Sequence, residues 1–308
     1  MLRKGVIVVN ESEQISIIKE NISGKIFLLF KENNIKYSLE KENKKLEKTA
    51  NKNNEKFSLR VIALMNVFEK LVPIRKSKVW ISDILEQKII RKDFSEELIS
   101  KINEFIVYFE QGESINSNLS RNTFNSDSWD YILNAWNIRH LHLSWRTEFD
   151  DASMKKNRAD YLLFFIFDDD NVYFIDVKEH PKGSGFSKFE FLETIERNNW
   201  IHCTPFKIIE GVIDMQPVIT SNEDIYTCMK NSINVSFKIN NKFYIPILGI
   251  ASSGNKMNHT QYLIDINKKI NMFSNQAFKF LDFQLVMKND IFGYIFFEKD
   301  NKKSVIEL

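Results

Sequence analysis

The sequence predicts an α+β fold, with a helical N-terminal half and a mainly antiparallel sheet with flanking helices in the C-terminal half. Three observations carry this reading. Residues 57–110 set apolar side chains at helical spacing in three successive stretches. From Ile138 the pattern changes to strand alternation, followed by two apolar runs around a turn. No internal repeat joins the two halves.

Taken in order, "GVIVV", "KIFLLF" and "IKYSLEK" read as short strands, rich in β-branched and aromatic residues. Residues 41–56, "KENKKLEKTANKNNEK", are polar with Leu46 their only large apolar residue, and read as a solvated helix face or a linker. "SLRVIALMNVFEKLV", "VWISDILEQKII" and "DFSEELISKINEFIVYFEQG" read as helices, the first capped by Ser58 and the third closed by Gly112. Residues 113–128 read as a loop and "WDYILNAW" as a short amphipathic helix. "IRHLHLSW" alternates as a strand, and "DYLLFFIFDDDNVYFIDVKEH" reads as a hairpin turning at Asp169, Asp170 and Asn171. "GSGFSKFEFLETIERNNW" follows as a Gly-rich turn and a helix, and "NVSFKINNKFYIPILGIASSGN" as a second hairpin turning at Asn240 and Asn241. "QYLIDINKKINMFSNQAFKFLDFQL" reads as a closing helix and "GYIFFEK" as a last strand.

A chain of 308 residues makes one large domain or two modest ones, here read as residues 1–112, with the charged linker, and a sheet-centred domain of residues 113–308. Hydrophobic residues at 43% and 26 phenylalanines are enough for a Phe-rich core. The net charge of +2 permits a nucleic-acid partner without demanding one. Two cysteines, Cys203 and Cys228, build neither a disulfide framework nor a CxxC metal pair, which fits a reducing cytoplasm. The N-terminal apolar run is too short for a signal peptide, and no run reaches the roughly 20 residues of a membrane helix. The expected location is therefore cytoplasmic, with no membrane partner.

Only five residues are histidine, yet His140 and His142 sit one apart in "NIRHLHLSWR". On a strand, His140, His142 and Ser144 share one face and Leu141, Leu143 and Trp145 the other. In "VYFIDVKEH", alternation likewise sets Tyr173, Ile175 and Val177 against Asp176, Lys178 and His180. If the strands are neighbours, the two polar faces converge.

Three chemistries fit that set. The first is metal-free cleavage of RNA, with His140, His142 and His180 as acid–base groups. Lys178 with Arg139, Arg146 or Arg158 then stabilises the charged phosphorane, and Ser144 helps bind substrate. The second is an Mg²⁺-dependent nuclease: Asp160, Asp176 and Lys178 match a D…DxK pattern in which two carboxylates hold the metal. The third is a transition-metal site built on the HxH pair with His180 or Asp176. His142-Leu143-Ser144 and His202-Cys203-Thr204 also repeat the HxS/T signature of two-histidine phosphoesterases. Beside all of these stands a plainer reading, in which Asp176 and Lys178 are a surface ion pair and the histidines are satisfied by backbone groups. Trp129, Trp136, Trp145 and Trp200 read as core residues, any of which could instead stack on a base.

"DYILNAWNIRHLHLS", "DYLLFF", "VYFIDVKEHP", "LETIERNNW" and "YIPILGIASSGN" resemble, in that order, segments of a family of uncharacterised bacterial proteins with an HLHL…LLF…YFIDV…H core, over roughly residues 110–260. That resemblance supports the domain division and names no reaction. The hairpin "RADYLLFFIFDDDNVYFIDVKEH" is similar to the Arg-led antiparallel core of RelE-like ribonuclease toxins. The expectation taken forward is a nucleic-acid phosphodiesterase, an endoribonuclease of toxin or phage-defence type needing no cofactor. RNA rather than DNA is its expected substrate, and a protein antitoxin or phage protein a further partner. The alternatives are the Mg²⁺-dependent nuclease and a non-catalytic sensor or binding module.

Overall fold

A computed structural model of the chain describes residues 11–143, 161–181, 183–186, 188–212, 214, 216, 219, 221–247, 249–251, 255–274, 279–287, 291–299 and 302–307. Its helices are α1 (Glu11–Glu32), α2 (Leu39–Leu46), α3 (Lys52–Phe68), α4 (Asp83–Ile90), α5 (Glu96–Gln111), α6 (Tyr131–Trp136), α7 (Phe189–Arg197), α8 (Asn222–Lys230) and α9 (Met257–Ser274). Its strands are β1 (Lys78–Ile81), β2 (Arg139–His142), β3 (Tyr161–Asp168), β4 (Asn171–Glu179), β5 (Phe206–Ile209), β6 (Phe237–Ile239), β7 (Lys242–Pro246), β8 (Lys279–Met287), β9 (Ile291–Lys299) and β10 (Lys302–Glu307). The fold is α+β, as the sequence predicts. Among the described residues no helix is long and apolar enough to cross a membrane.

The chain divides into two compact units. One takes the residues up to Phe68, Phe124–Asp127 and those from His259 onward; the other takes Glu69–Thr123 and Ser128–Asn258. The boundary read from the sequence at 112/113 falls inside the second unit.

In the first unit, "KIFLLF" is not a strand but the middle of α1. Over the longer stretch Ile18, Ile22, Ile26 and Phe30 recur every four residues and are all buried, a helical stripe that outweighs the local β-propensity. "IKYSLEK" holds a single bridge residue, Lys36, before Ser38 caps α2. Ser58 lies inside α3, where its hydroxyl donates to the Asn54 carbonyl, so it caps nothing. The charged stretch is mostly helical, formed by α2 and the start of α3 with a short turn of residues 47–51 between them. Within it Glu42 is buried against a bidentate Arg60. The closing helix ends at Ser274, and β8, β9 and β10 follow as an antiparallel sheet in that order, so "GYIFFEK" belongs to the second of its strands and not the last. "GVIVV" lies outside the described residues.

The second unit is built on a four-stranded sheet of order β1-β4-β3-β2, in which β1 runs parallel to β4 and the other pairs are antiparallel. Both faces are covered. Leu162, Phe164, Ile166, Tyr173 and Ile175 join a core with α6, α7, α8 and the small antiparallel sheet β5-β7-β6. Leu163, Phe165, Phe167, Val172 and Phe174 join a second core with α4 and α5. Burial on both sides explains the unbroken apolar runs of β3 and β4. Full burial of each such side chain contributes about 1.5–3 kcal/mol.

Local signals punctuate these elements as expected. Gly112 ends α5 in the left-handed region, φ 73°, and the Glu113 N–H reaches the Tyr108 carbonyl. Asn240 and Asn241 both take positive φ at the β6–β7 turn, as a two-residue hairpin of the I′ type requires. "VWISDILEQKII" splits into β1 and α4, because the Ser82 hydroxyl accepts from the Leu85 N–H and starts the helix there.

In the four-stranded sheet simple alternation fails at β4. Phe164 pairs with Asp176 but Phe165 pairs with Phe174, leaving Ile175 as an extra residue, a β-bulge. Tyr173 and Ile175 therefore lie in the first core and Val177 in the second, against the expected sharing of one face by all three. Ser82, just past β1, fits the bulge: its hydroxyl donates to the Ile175 carbonyl at 2.6 Å and its N–H to the Phe174 carbonyl at 3.0 Å.

Candidate functional site

The bulge sets the register of the polar residues. His140 lies across from Phe164, which lies across from Asp176; His142, Leu162 and Lys178 form the next row. β2 and β4 are thus not neighbours, as convergence of the two polar faces would need. β3 separates them, which puts the two ends of each row about 10 Å apart at about 4.8 Å per strand.

The outcome is two clusters. The first gathers the histidines. The ring of His142 is 6.2 Å from that of His140 and 5.5 Å from that of His180, centroid to centroid. Phe186, on the short 3₁₀ turn Gly183–Phe186, packs on His140 at 5.4 Å and on His180 at 5.8 Å. That approach needs Gly185, where a Cβ would stand 2.7 Å from the Pro181 Cβ. His180 Nδ1 lies 3.1 Å from the Pro181 carbonyl oxygen.

Arg139 and His140 reach this place because α6 is short. Asp130 caps it, accepting the Leu133 N–H at 3.1 Å through Oδ1, and Asn137 ends it with φ 61° before the chain enters β2. The other oxygen of Asp130 stands 3.7 Å from His140 Nδ1, and that nitrogen has no hydrogen-bond partner among the described residues. Burial pushes the His140 pKa below the ordinary histidine value; Asp130 pulls it up without prevailing, and His180 adds to the lowering. His140 is therefore neutral near pH 7. Arg139 is buried, donates from Nη2 to the Glu69 carbonyl at 3.1 Å, and has the Glu69 carboxylate 3.8 Å away. Burial lowers its pKa while Glu69 and Asp130 raise it, and the guanidinium stays charged. Arg139, His140, Asp130 and Lys70 are among the residues that line a cavity of about 300 Å³ in the second unit.

The second cluster is a chain of ion pairs. Lys88 on α4 donates to both oxygens of Asp176, at 2.7 and 2.9 Å, and Lys178 stands 3.1 Å from the second of them. Lys178 also donates to Glu190 on α7 at 3.0 Å. Burial lowers the Lys178 pKa, but the charges of Asp176 and Glu190 prevail and hold it above its usual value. Lys178 depresses that of Glu190 in turn. A cation on Asp176 would have to displace Lys88. Among the described residues no three histidine, cysteine, aspartate or glutamate side chains are grouped to hold a metal ion. Asp160, the other carboxylate of the D…DxK pattern, lies outside the described residues with Ser144, Trp145, Arg146 and Arg158. His202 sits on a 3₁₀ turn rather than a strand, so the second HxS/T copy does not repeat the setting of the first.

Sequence reasoning did not single out Asp130, Lys88, Phe186 or Lys70. Asp130 carried a signal, an N-cap residue between two aromatics in "WDY" two turns before the histidines. The others come from distant segments that only the fold brings in. No family model, no curated protein and no solved structure matches the chain.

Proposed function

We propose that the chain is a nucleic-acid phosphodiesterase, an endoribonuclease of toxin or phage-defence kind that works by histidine acid–base chemistry. One observation carries this reading: three histidine rings within 5.5–6.2 Å of their neighbours, beside a buried arginine at a cavity. His140, kept neutral by burial and backed by Asp130, takes the proton of the ribose 2′-hydroxyl. The 2′-oxygen attacks phosphorus and the bond to the 5′-oxygen breaks. His142, as imidazolium, gives that oxygen its proton, and the product is a 2′,3′-cyclic phosphate. Arg139 offsets the extra charge of the phosphorane. His180 flanks His142 and holds its ring in place. RNA is favoured over DNA because the nucleophile is the substrate's own 2′-hydroxyl. In this reading Asp176 and Lys178 are structural, since each already satisfies the other.

The test is cleavage of an oligoribonucleotide by the purified full chain, with and without EDTA. His142→Ala is expected to abolish cleavage and leave the circular dichroism spectrum unchanged. A fully active His142→Ala protein sinks the proposal. Activity lost to chelation and restored by Mg²⁺ favours the metal-dependent alternative.

A further inference from the structure

The cavity beside His140 has a lining of two chemistries. Among its polar residues Arg139 is 8% exposed, and its Nε and Nη1 have no hydrogen-bond acceptor among the described residues. Buried donors on a charged group are costly to leave unmatched, and an anion in front of the guanidinium is the natural acceptor. Lys70 adds a second cation to the lining, held by the carbonyls of Asn122 and Ser128 at 3.1 and 3.0 Å. Aromatic side chains share the same cavity. Trp129, Tyr131 and Tyr226 line it, the two tyrosines edge to face at 6.2 Å. A volume of about 300 Å³ is the room of about ten waters at about 30 Å³ each, several times what an anionic group alone fills.

We infer that this cavity seats a single nucleotide of the RNA strand, with its phosphate against Arg139 and His140 and its base among Trp129, Tyr131 and Tyr226. The inference rests on the phosphodiesterase reading of the histidine cluster and makes the cavity the subsite next to it. It also fixes the kind of specificity. Asp130, the carboxylate of the lining, already holds the α6 cap through one oxygen. Aromatic walls stack on any base without reading its edge. The seat therefore distinguishes nucleotides from bare phosphate and hardly distinguishes one base from another.

Isothermal titration of the full chain with adenosine 3′-monophosphate, uridine 3′-monophosphate and inorganic phosphate tests this, alongside the cleavage assay. The two nucleotides are expected to bind within a few-fold of each other, and phosphate about tenfold more weakly or worse. Tyr226→Leu, at a half-buried position on α8, is expected to weaken nucleotide binding about tenfold and leave phosphate binding alone. Arg139→Gln is expected to weaken both; should it fail to fold, Tyr226→Leu still decides. Phosphate bound as tightly as the nucleotides overturns the inference, as does a Tyr226→Leu protein that binds them normally. A wild-type chain that cleaves RNA but binds no mononucleotide also overturns it. A chain that binds nucleotides through these residues and cleaves nothing keeps the seat and removes the cleavage reading.

Discussion

Two strands of the central sheet, β4 and β2, use buried polar residues in opposite ways. On β4, Asp176 is 3% exposed and has both carboxylate oxygens on lysine ammonium groups, while Lys178 is shared between two carboxylates. Positive and negative groups alternate along Lys88, Asp176, Lys178 and Glu190, and each meets an opposite charge. At the β2 end, Arg139 and His140 are similarly enclosed, yet Arg139 Nε and Nη1 and His140 Nδ1 have no hydrogen-bond partner among the described residues. The first arrangement is what a fold needs in order to bury charge. The second keeps capacity in reserve, and reserve at a cavity wall is what a site requires. Both clusters come from the same alternating polar residues in the sequence, so residue type alone does not separate a site from a strut. The partners do.

Activity gives the widest separation. His142→Ala at the histidine end should remove cleavage altogether, a loss of several orders of magnitude for an acid–base group. Asp176→Asn on β4 should instead cost stability. It leaves the partly buried ammonium group of Lys88 without a counter-charge, while Lys178 keeps Glu190, and the expected loss is about 3 kcal/mol by urea denaturation. At low temperature, where the variant is still folded, its specific activity should match the wild type. Inactive but stable Asp176→Asn protein would move Asp176 into the chemistry and collapse the comparison.

Much of this sheet was legible in the sequence because its signals are local. Asp169 with φ 47° and the positive φ of Asn240 and Asn241 sit where short turn-forming residues punctuate apolar runs. Gly112 closes α5 for the same kind of reason. The histidine pair faced the expected way, with Leu141 and Leu143 in the opposite core. The β4 bulge was not legible. It depends on Ser82, over 90 residues away, receiving the extra carbonyl, and no period-2 pattern contains that information. The partition of charge was hidden likewise, since Lys88 comes from α4 and Glu190 from α7. In α1 the fault was window length: six residues of "KIFLLF" look like a strand, and the four-residue repeat shows only across the whole helix.

Acid should find the histidine end first. The His140 pKa is lower in the fold than in the unfolded chain, so the unfolded state binds the proton more readily. Its contribution to stability is therefore complete above about pH 6.5 and is lost as the pH falls below that value toward the depressed one. Asp130 softens the loss, and His180 sharpens it. Melting temperature measured from pH 8 to pH 5 should fall on the acid side, and His140→Phe should flatten that fall. The slope attributable to one such group is at most about 1.4 kcal/mol per pH unit. If His140→Phe melts with the same acid slope as the wild type, burial of this imidazole does not govern the acid side.

The smallest expected effect lies at the outer link of the ion-pair chain. The Glu190 side chain is 57% exposed, so water screens its bond to Lys178 in a way it does not screen Asp176 from Lys88. Glu190→Gln keeps the shape and a hydrogen-bond acceptor and removes the charge. The expected cost is about 0.5 kcal/mol, within the range of surface pairs, and it should shrink further in 1 M salt. Lys178 would keep Asp176 as its counter-charge. A double-mutant cycle between Glu190→Gln and Asp176→Asn measures whether the chain acts as one unit. Coupling near zero makes Glu190 a solvated end. Coupling above about 1 kcal/mol makes Lys178 a true relay of charge between α7 and β4, and extends the saturated cluster out to the protein surface.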